Sequence, residues 1–247
     1  MPAVVTASRE YVCVRPQTYE DQAEADLLLS LFRGREGTLE NTVFCVLAPD
    51  ANRRLTRSGR GPAQQFADAD AFAAFLTEAF APFAEDAKPL AALPLHADLA
   101  LGLNVAACDL LPLVVLAADT ERQLTRLDER LAALSWDDAH VGRQHVVRLV
   151  GAEALAAAAA DHGLALEPGL TLVQPGPYGR TGKVLAAAPL SVSAENLART
   201  LERGREKHAP VAKSRRAHIR AAQREGIRWE SELEVTDPGA RRASEER

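Results

Sequence analysis

Cysteine is scarce in this sequence. Only Cys13, Cys45 and Cys108 occur among 247 residues, and no two of them share a motif spacing. So sparse and odd a set excludes a disulfide framework and a paired-thiol metal site, and it fits a reducing compartment. Long apolar runs are also missing, since no uncharged segment approaches the roughly 18 residues that a membrane span needs. The opening MPAVVTASRE lacks the basic-then-apolar pattern of a secretory leader, so a cytoplasmic location is expected. Neither sign of charge dominates, with 29 Lys and Arg against 34 Asp and Glu for a net −5. What the chain does have is 47% hydrophobic residues, enough for one large domain or two small ones.

Proline and glycine divide it into three parts: residues 1–86, 90–206 and 207–247. In the first, Tyr11 to Arg15 (YVCVR) reads as a strand and Glu20 to Phe32 as a helix. Thr42 to Ala48 and Arg54 to Arg57 read as a hairpin around the Pro49–Asn52 turn, and Asp68 to Phe80 as a second helix. The order is βαββα. In the second part, Leu95 to Cys108 reads as a helix and Leu113 to Ala118 (LVVLAA) as a strand buried on both faces. Glu121 to Leu134 is a helix with leucines at 124, 127, 131 and 134, followed by a strand at His145 to Val150 and a helix at Ala152 to Ala160. Strands at Leu170 to Gln174 and Lys183 to Ala187 form a hairpin, and Ala194 to Arg203 closes the part, giving βαβαββα.

A βαβα half followed by a hairpin and a helix has few sensible foldings, because parallel crossovers are right-handed and connections do not cross. The segment Pro168-Gly-Leu-Thr-Leu-Val-Gln-Pro-Gly176 resembles the thioredoxin segment in which a cis-proline leads into an antiparallel strand and a tight turn. Pro168 takes that proline's place, and the resemblance implies a cis bond there and a peptide-binding edge at Pro168, Gly169 and Leu170. The first part resembles the second half of the same fold, with Asn41 where thioredoxins carry proline, so no cis bond is expected at that step. YVCVR, ENTVFCVLAPD and the late GIRWE are also similar to uncharacterised bacterial thioredoxin-family proteins, in which a Cys-x-x-Cys strand and helix precede the first of these strands. No such pair stands ahead of Tyr11. The expected fold is therefore α/β and thioredoxin-like, a partial N-terminal copy followed by a complete one without a dithiol.

The chemistry of that fold needs a Cys-x-x-Cys at the N-terminus of the helix after the central strand, where the dipole stabilises a thiolate. Here that stretch is Ala117-Ala118-Asp119-Thr120-Glu121-Arg122-Gln123, without cysteine. Thr120 and Gln123 have the spacing of a capping box, and Asp119 and Glu121 would repel an anion. Cys13 and Cys45, inside apolar runs, read as small buried hydrophobes, as a remote disulfide pair, or as the single thiol of a redox enzyme. Cys108 precedes Asp109 at a helix end, which disfavours a thiolate. The six histidines show no metal spacing; His140 and His145, with Asp137 and Asp138 nearby, read first as a solvated loop and only secondly as a weak acid–base or metal cluster. Gly176-Pro-Tyr-Gly-Arg-Thr-Gly-Lys183 misses the phosphate-loop spacing by one residue and precedes a strand, so its glycines read as turn residues. No cofactor and no metal are expected.

One asymmetry remains. Arg199 to Arg228 holds ten Lys and Arg against three Glu, a local +7 that leaves −12 elsewhere. Arg216, Arg220 and Arg224 recur at helical spacing between a Ser214 cap and a Gly226 stop. Such a face meets either the chain's own acidic surface or nucleic acid. No aromatic residue is interleaved to stack a base, and Trp229 reads as an anchor for the tail. The leading expectation is a monomeric, redox-inactive interaction or scaffolding protein with a protein partner; the alternatives are a single-cysteine redox enzyme and a nucleic-acid-associated protein.

Overall fold

The computed structural model describes residues 2–34, 37–40, 42–86, 92–137, 139–210, 214–228 and 230–236. It is a mixed α/β protein, with eight α-helices and a five-stranded mixed sheet among these residues. Two compact units divide the chain: Met1–Lys88 with Arg228–Arg247, and Pro89–Ile227.

The first unit holds α1 (Pro2–Ser8), α2 (Gln22–Leu31) and α3 (Ala69–Phe80), with α1 packed on α3. Asp21 and Asp68 cap α2 and α3, each carboxylate accepting a backbone N–H of the first turn. Tyr19, Ala25, Leu28 and Leu39 form a small core, and Leu233 and Val235 of the returning tail pack against it. Two bonds hold that tail, Leu233 N–H to the Tyr19 carbonyl at 2.9 Å and the Thr236 hydroxyl to the Leu39 carbonyl at 2.7 Å. Phe66 stacks on Phe72 and Phe75 at 4.9 and 5.1 Å, and Phe72 meets Phe44 edge-on at 5.6 Å.

The strands expected here do not form. Tyr11 to Arg15 is not a strand among the described residues, and Val12 and Val14 are 71% and 74% exposed. A β-prone run is a strand only when another backbone satisfies its N–H and C=O groups. Tyr11 instead docks through its side chain, donating to the Leu76 carbonyl at 2.6 Å. The expected hairpin is reduced to two isolated bridges, Phe44 with Gly59 and Leu47 with Arg54. Its turn is where the sequence puts it, with the Asp50 carboxylate accepting from the Asn52 and Arg53 amides. The helix α1 carries no signal beyond a proline near its start. Asn41 and Trp229 lie outside the described residues.

The second unit runs β1 (Leu95–His96), α4 (Leu99–Asp109), β2 (Leu113–Ala118), α5 (Glu121–Ser135), β3 (His145–Val150), α6 (Ala152–His162), β4 (Gly169–Pro175), β5 (Gly182–Pro189), α7 (Ala194–Lys207) and α8 (Arg215–Arg224). The sheet order is β1-β3-β2-β4-β5, with β1, β3 and β2 parallel and β4 and β5 antiparallel. Strand alternation sorts the side chains into two cores. Val114, Leu116, Val146, Leu170 and Leu172 meet Leu124, Leu127 and Leu131 of α5 and Leu197 and Leu201 of α7. Leu113, Val115, Val147, Leu149 and Val173 meet Leu99, Leu103 and Ala106 of α4 and Ala158 of α6. Every residue of β2 is buried, as a central strand covered on both faces requires. The helix expected from Leu95 begins instead at Leu99, because Asp98 caps it and Leu95–His96 pairs with β3. Among the described residues no helix is long and apolar enough to cross a membrane.

The cis bond expected at Pro168 is absent, every described peptide bond being trans. Gly169 makes the entry to β4 instead, with φ +146°, and a side chain there would come within 2.1 Å of the Ala188 carbonyl oxygen.

Candidate functional site

The start of α5 lies at the C-terminal end of β2, where a dithiol would sit in the expected fold. Gln123 Oε1 accepts the Thr120 backbone N–H at 3.0 Å, so the capping box read from the sequence is formed. Arg148 reaches across from β3 to bond Glu121 and also meets Asp128 at 3.2 Å. Burial pushes the Asp128 carboxyl above its ordinary range, against the pull of Arg148. The helix start is thus filled by Thr120, Glu121 and Gln123, and the arginine that reaches it from β3 is committed to Glu121 and Asp128. Nothing in it can act as a thiol nucleophile.

The three cysteines are free and scattered. Cys13 is exposed, which overturns the expectation of a buried hydrophobe there. Cys45 is half-buried, and burial pushes its thiol up, against a Ser58 hydrogen bond and the nearby Arg54 charge. Cys13 and Cys45 form no disulfide. Cys108 is exposed at the end of α4.

The trio at the proline loop is mostly interior. Gly169 pairs with Ala117 on one side and Pro189 on the other, Leu170 pairs with Leu116 and Ala188, and both residues are buried. Pro168 alone is half-buried and offers surface at this loop.

The histidines group differently from the sequence reading. His140 is buried and accepts from Arg205 of α7 through Nδ1 at 2.9 Å; burial and that guanidinium hold it below the ordinary imidazole range. His145 points to the opposite face of the sheet, so the two do not form one cluster, and Asp138 lies outside the described residues. His145 Nε2 is 3.0 Å from Asp109 Oδ2, and its Nδ1 is 3.0 Å from His96 Nε2. Burial and His145 push His96 below the ordinary range, while Asp109 and Asp98 oppose them. Sequence reasoning missed this Asp109–His145–His96 chain. Its members lie on α4, β3 and β1, and only the parallel pairing of β1 with β3 brings them together. Among the described residues no group of three or more His, Cys, Asp or Glu side chains is placed to hold a metal.

A cavity of about 230 Å³ opens at the other end of the sheet from Pro168, lined by Leu110, Leu111, Gln174, Pro177, Lys183 and His208. It is below the size of ordinary small-molecule sites. Gln174, its most versatile polar group, is spent on the Ala209 backbone through both side-chain atoms. The Gly176–Lys183 stretch forms the β4–β5 turn and not a phosphate loop.

Helix α8 forms where expected. Gly226, with φ +70°, ends it through the Ile227-to-Ala222 and Gly226-to-Gln223 bonds of a Schellman motif. Ser214 stands at the cap position without a side-chain bond. His218 stacks on Tyr178 at 4.6 Å, while Arg216, Arg220 and Arg224 are exposed and, among the described residues, carry no ion pair.

Compared with family models, with curated proteins and with solved structures, the chain gives no match in any of the three.

Proposed function

We propose that this chain is a thioredoxin-like binding protein that recognises a protein partner and performs no thiol–disulfide exchange. The fold part of the reading is supported by the second unit's connectivity, a parallel βαβα half with β2 central, then an antiparallel hairpin and a helix. One observation carries the functional part. The helix start that would hold the dithiol is closed by the Thr120–Gln123 capping box and the Glu121–Arg148–Asp128 network. A fold does not fix a function, and here the residues that would supply the usual chemistry are replaced by ones that only satisfy the helix end. A single-cysteine mechanism gains little support, because the Cys45 thiol is pushed away from the thiolate form.

Disulfide reduction by the full chain, measured with and without Cys13→Ser and Cys45→Ser, tests the reading. Equal background rates support it. Turnover lost on either substitution overturns it in favour of the redox enzyme.

A second reading rests on α8. Arg216, Arg220 and Arg224 are spaced four residues apart on one exposed face, a like-charge arrangement that costs stability unless anions face it. If that anion is nucleic acid, a gel shift weakens steeply with salt and is lost on replacing all three by glutamine.

A further inference from the structure

Strand β1 is the shortest in the sheet, two residues at the edge, paired only as Leu95 with Val146 and His96 with Val147. Leu95 is 41% exposed, so its side chain adds little hold. The bond between the rings of His96 and His145 is therefore a large part of what keeps β1 on β3.

The direction of each bond follows from the carboxylate end. Asp109 as a carboxylate can only accept, so His145 donates from Nε2 and keeps a lone pair on Nδ1. His96 then donates its Nε2–H to that lone pair. A first added proton, on His96 Nδ1, leaves both bonds in place. A second, on His145 Nδ1, sets two N–H groups and two positive charges against each other across 3.0 Å. No rotation of either ring restores the bond without breaking the one to Asp109.

We propose that the Asp109–His145–His96 chain is a proton-operated latch: neutral, it holds β1 on the sheet, and doubly protonated, it releases β1 and uncovers the parallel edge of β3 at Val146 and Val147. The charges that act on His96 come from His145 on β3, Asp109 at the end of α4 and Asp98 at its start. Arg148 points to the other face of β3 and is committed to Glu121 and Asp128. Helix α6, on the same face as the pair, carries Glu153, Asp161 and His162, and His162 is bonded to the Arg180 carbonyl. The latch is independent of the thioredoxin-like reading.

Hydrogen exchange of the full chain tests it, following the peptide around residues 93–98 at about pH 7.5 and about pH 5.5, within the range where imidazoles titrate. After correction for intrinsic rates, its protection is expected to fall at least tenfold at the lower pH while the β2 peptide stays protected. In His96→Phe the profile should be flat. In Asp109→Asn the drop should move to lower pH, because an anion favouring the charged ring is gone. A flat wild-type profile, or an equal drop in His96→Phe, overturns the proposal. Should His96→Phe not fold, the ring nitrogens of wild-type His96 and His145 decide: loss of β1 protection with the second of their two protonations supports the latch, and loss with the first, or protection kept through both, overturns it.

Discussion

All seven phenylalanines of the chain lie in the first unit and all six histidines in the second. The difference is one of construction. The second unit buries continuous Leu, Val and Ala runs on both faces of a sheet, down to complete burial in β2 and at Leu124, Leu127 and Leu131. The first has no ladder among its described residues and packs its phenylalanines as half-buried rings against short helices. A sheet core makes each aliphatic position irreplaceable, whereas a cluster of partly exposed rings spreads its hold over several neighbours.

Core truncations should expose that contrast most strongly. Leu116→Ala empties a fully buried site and is expected to cost about 3–5 kcal/mol, whereas Phe72→Ala, half-buried, is expected to cost about 2 kcal/mol. Urea unfolding in a Trp229→Phe background, followed by Trp136 fluorescence for the second unit and far-ultraviolet dichroism for both, would measure them. Equal losses would break the comparison.

Acid should separate the units next. His96, His140 and His208 are all held below the ordinary imidazole range, chiefly by burial. The unfolded chain therefore takes up their protons first, so the stability they contribute is present above about pH 6.5 and is lost as pH falls toward their folded values. In the first unit the Asp50 carboxyl is held low by the Arg53 and Asn52 amides, and its contribution is lost only in the carboxylate range. Between about pH 7.5 and 5.5 only the second unit's transition should move to lower urea. A parallel shift in the first unit would contradict the assignment of this sensitivity to the histidines.

The smallest effects should be alike. Asp68→Ala and Asp98→Ala each remove a carboxylate that caps a helix with a bond of 2.8 Å, one in each unit. Each should cost about 1 kcal/mol, in its own transition. A clearly larger loss for Asp98→Ala would mean that Asp98 also supports β1.

The second unit was legible because its signals are local. LVVLAA between Pro112 and Asp119 and leucines three and four apart leave little choice of element. The first unit misled because YVCVR and TVFCVLA have strand composition, yet the first forms no strand and the second only isolated bridges at Phe44 and Leu47, and ladder formation is a property of the whole fold. Of the candidate site, the capping box and the missing cysteines were readable from spacing alone. The Asp109–His145–His96 chain was not, since its bonded pairs stand 36 and 49 positions apart in sequence and only the fold closes them. The expected cis bond at Pro168 failed because a glycine next to it supplies the turn.

The most direct test of the central claim is to put back what the helix start lacks. In the T120C/Q123C double variant a Cys-x-x-Cys replaces the capping box at the dipole-bearing end of α5, and disulfide reduction is measured beside the parent. The account predicts an inactive parent and a variant that turns over a disulfide substrate. A parent that already reduces disulfides, with a rate unchanged by the new pair, would contradict it.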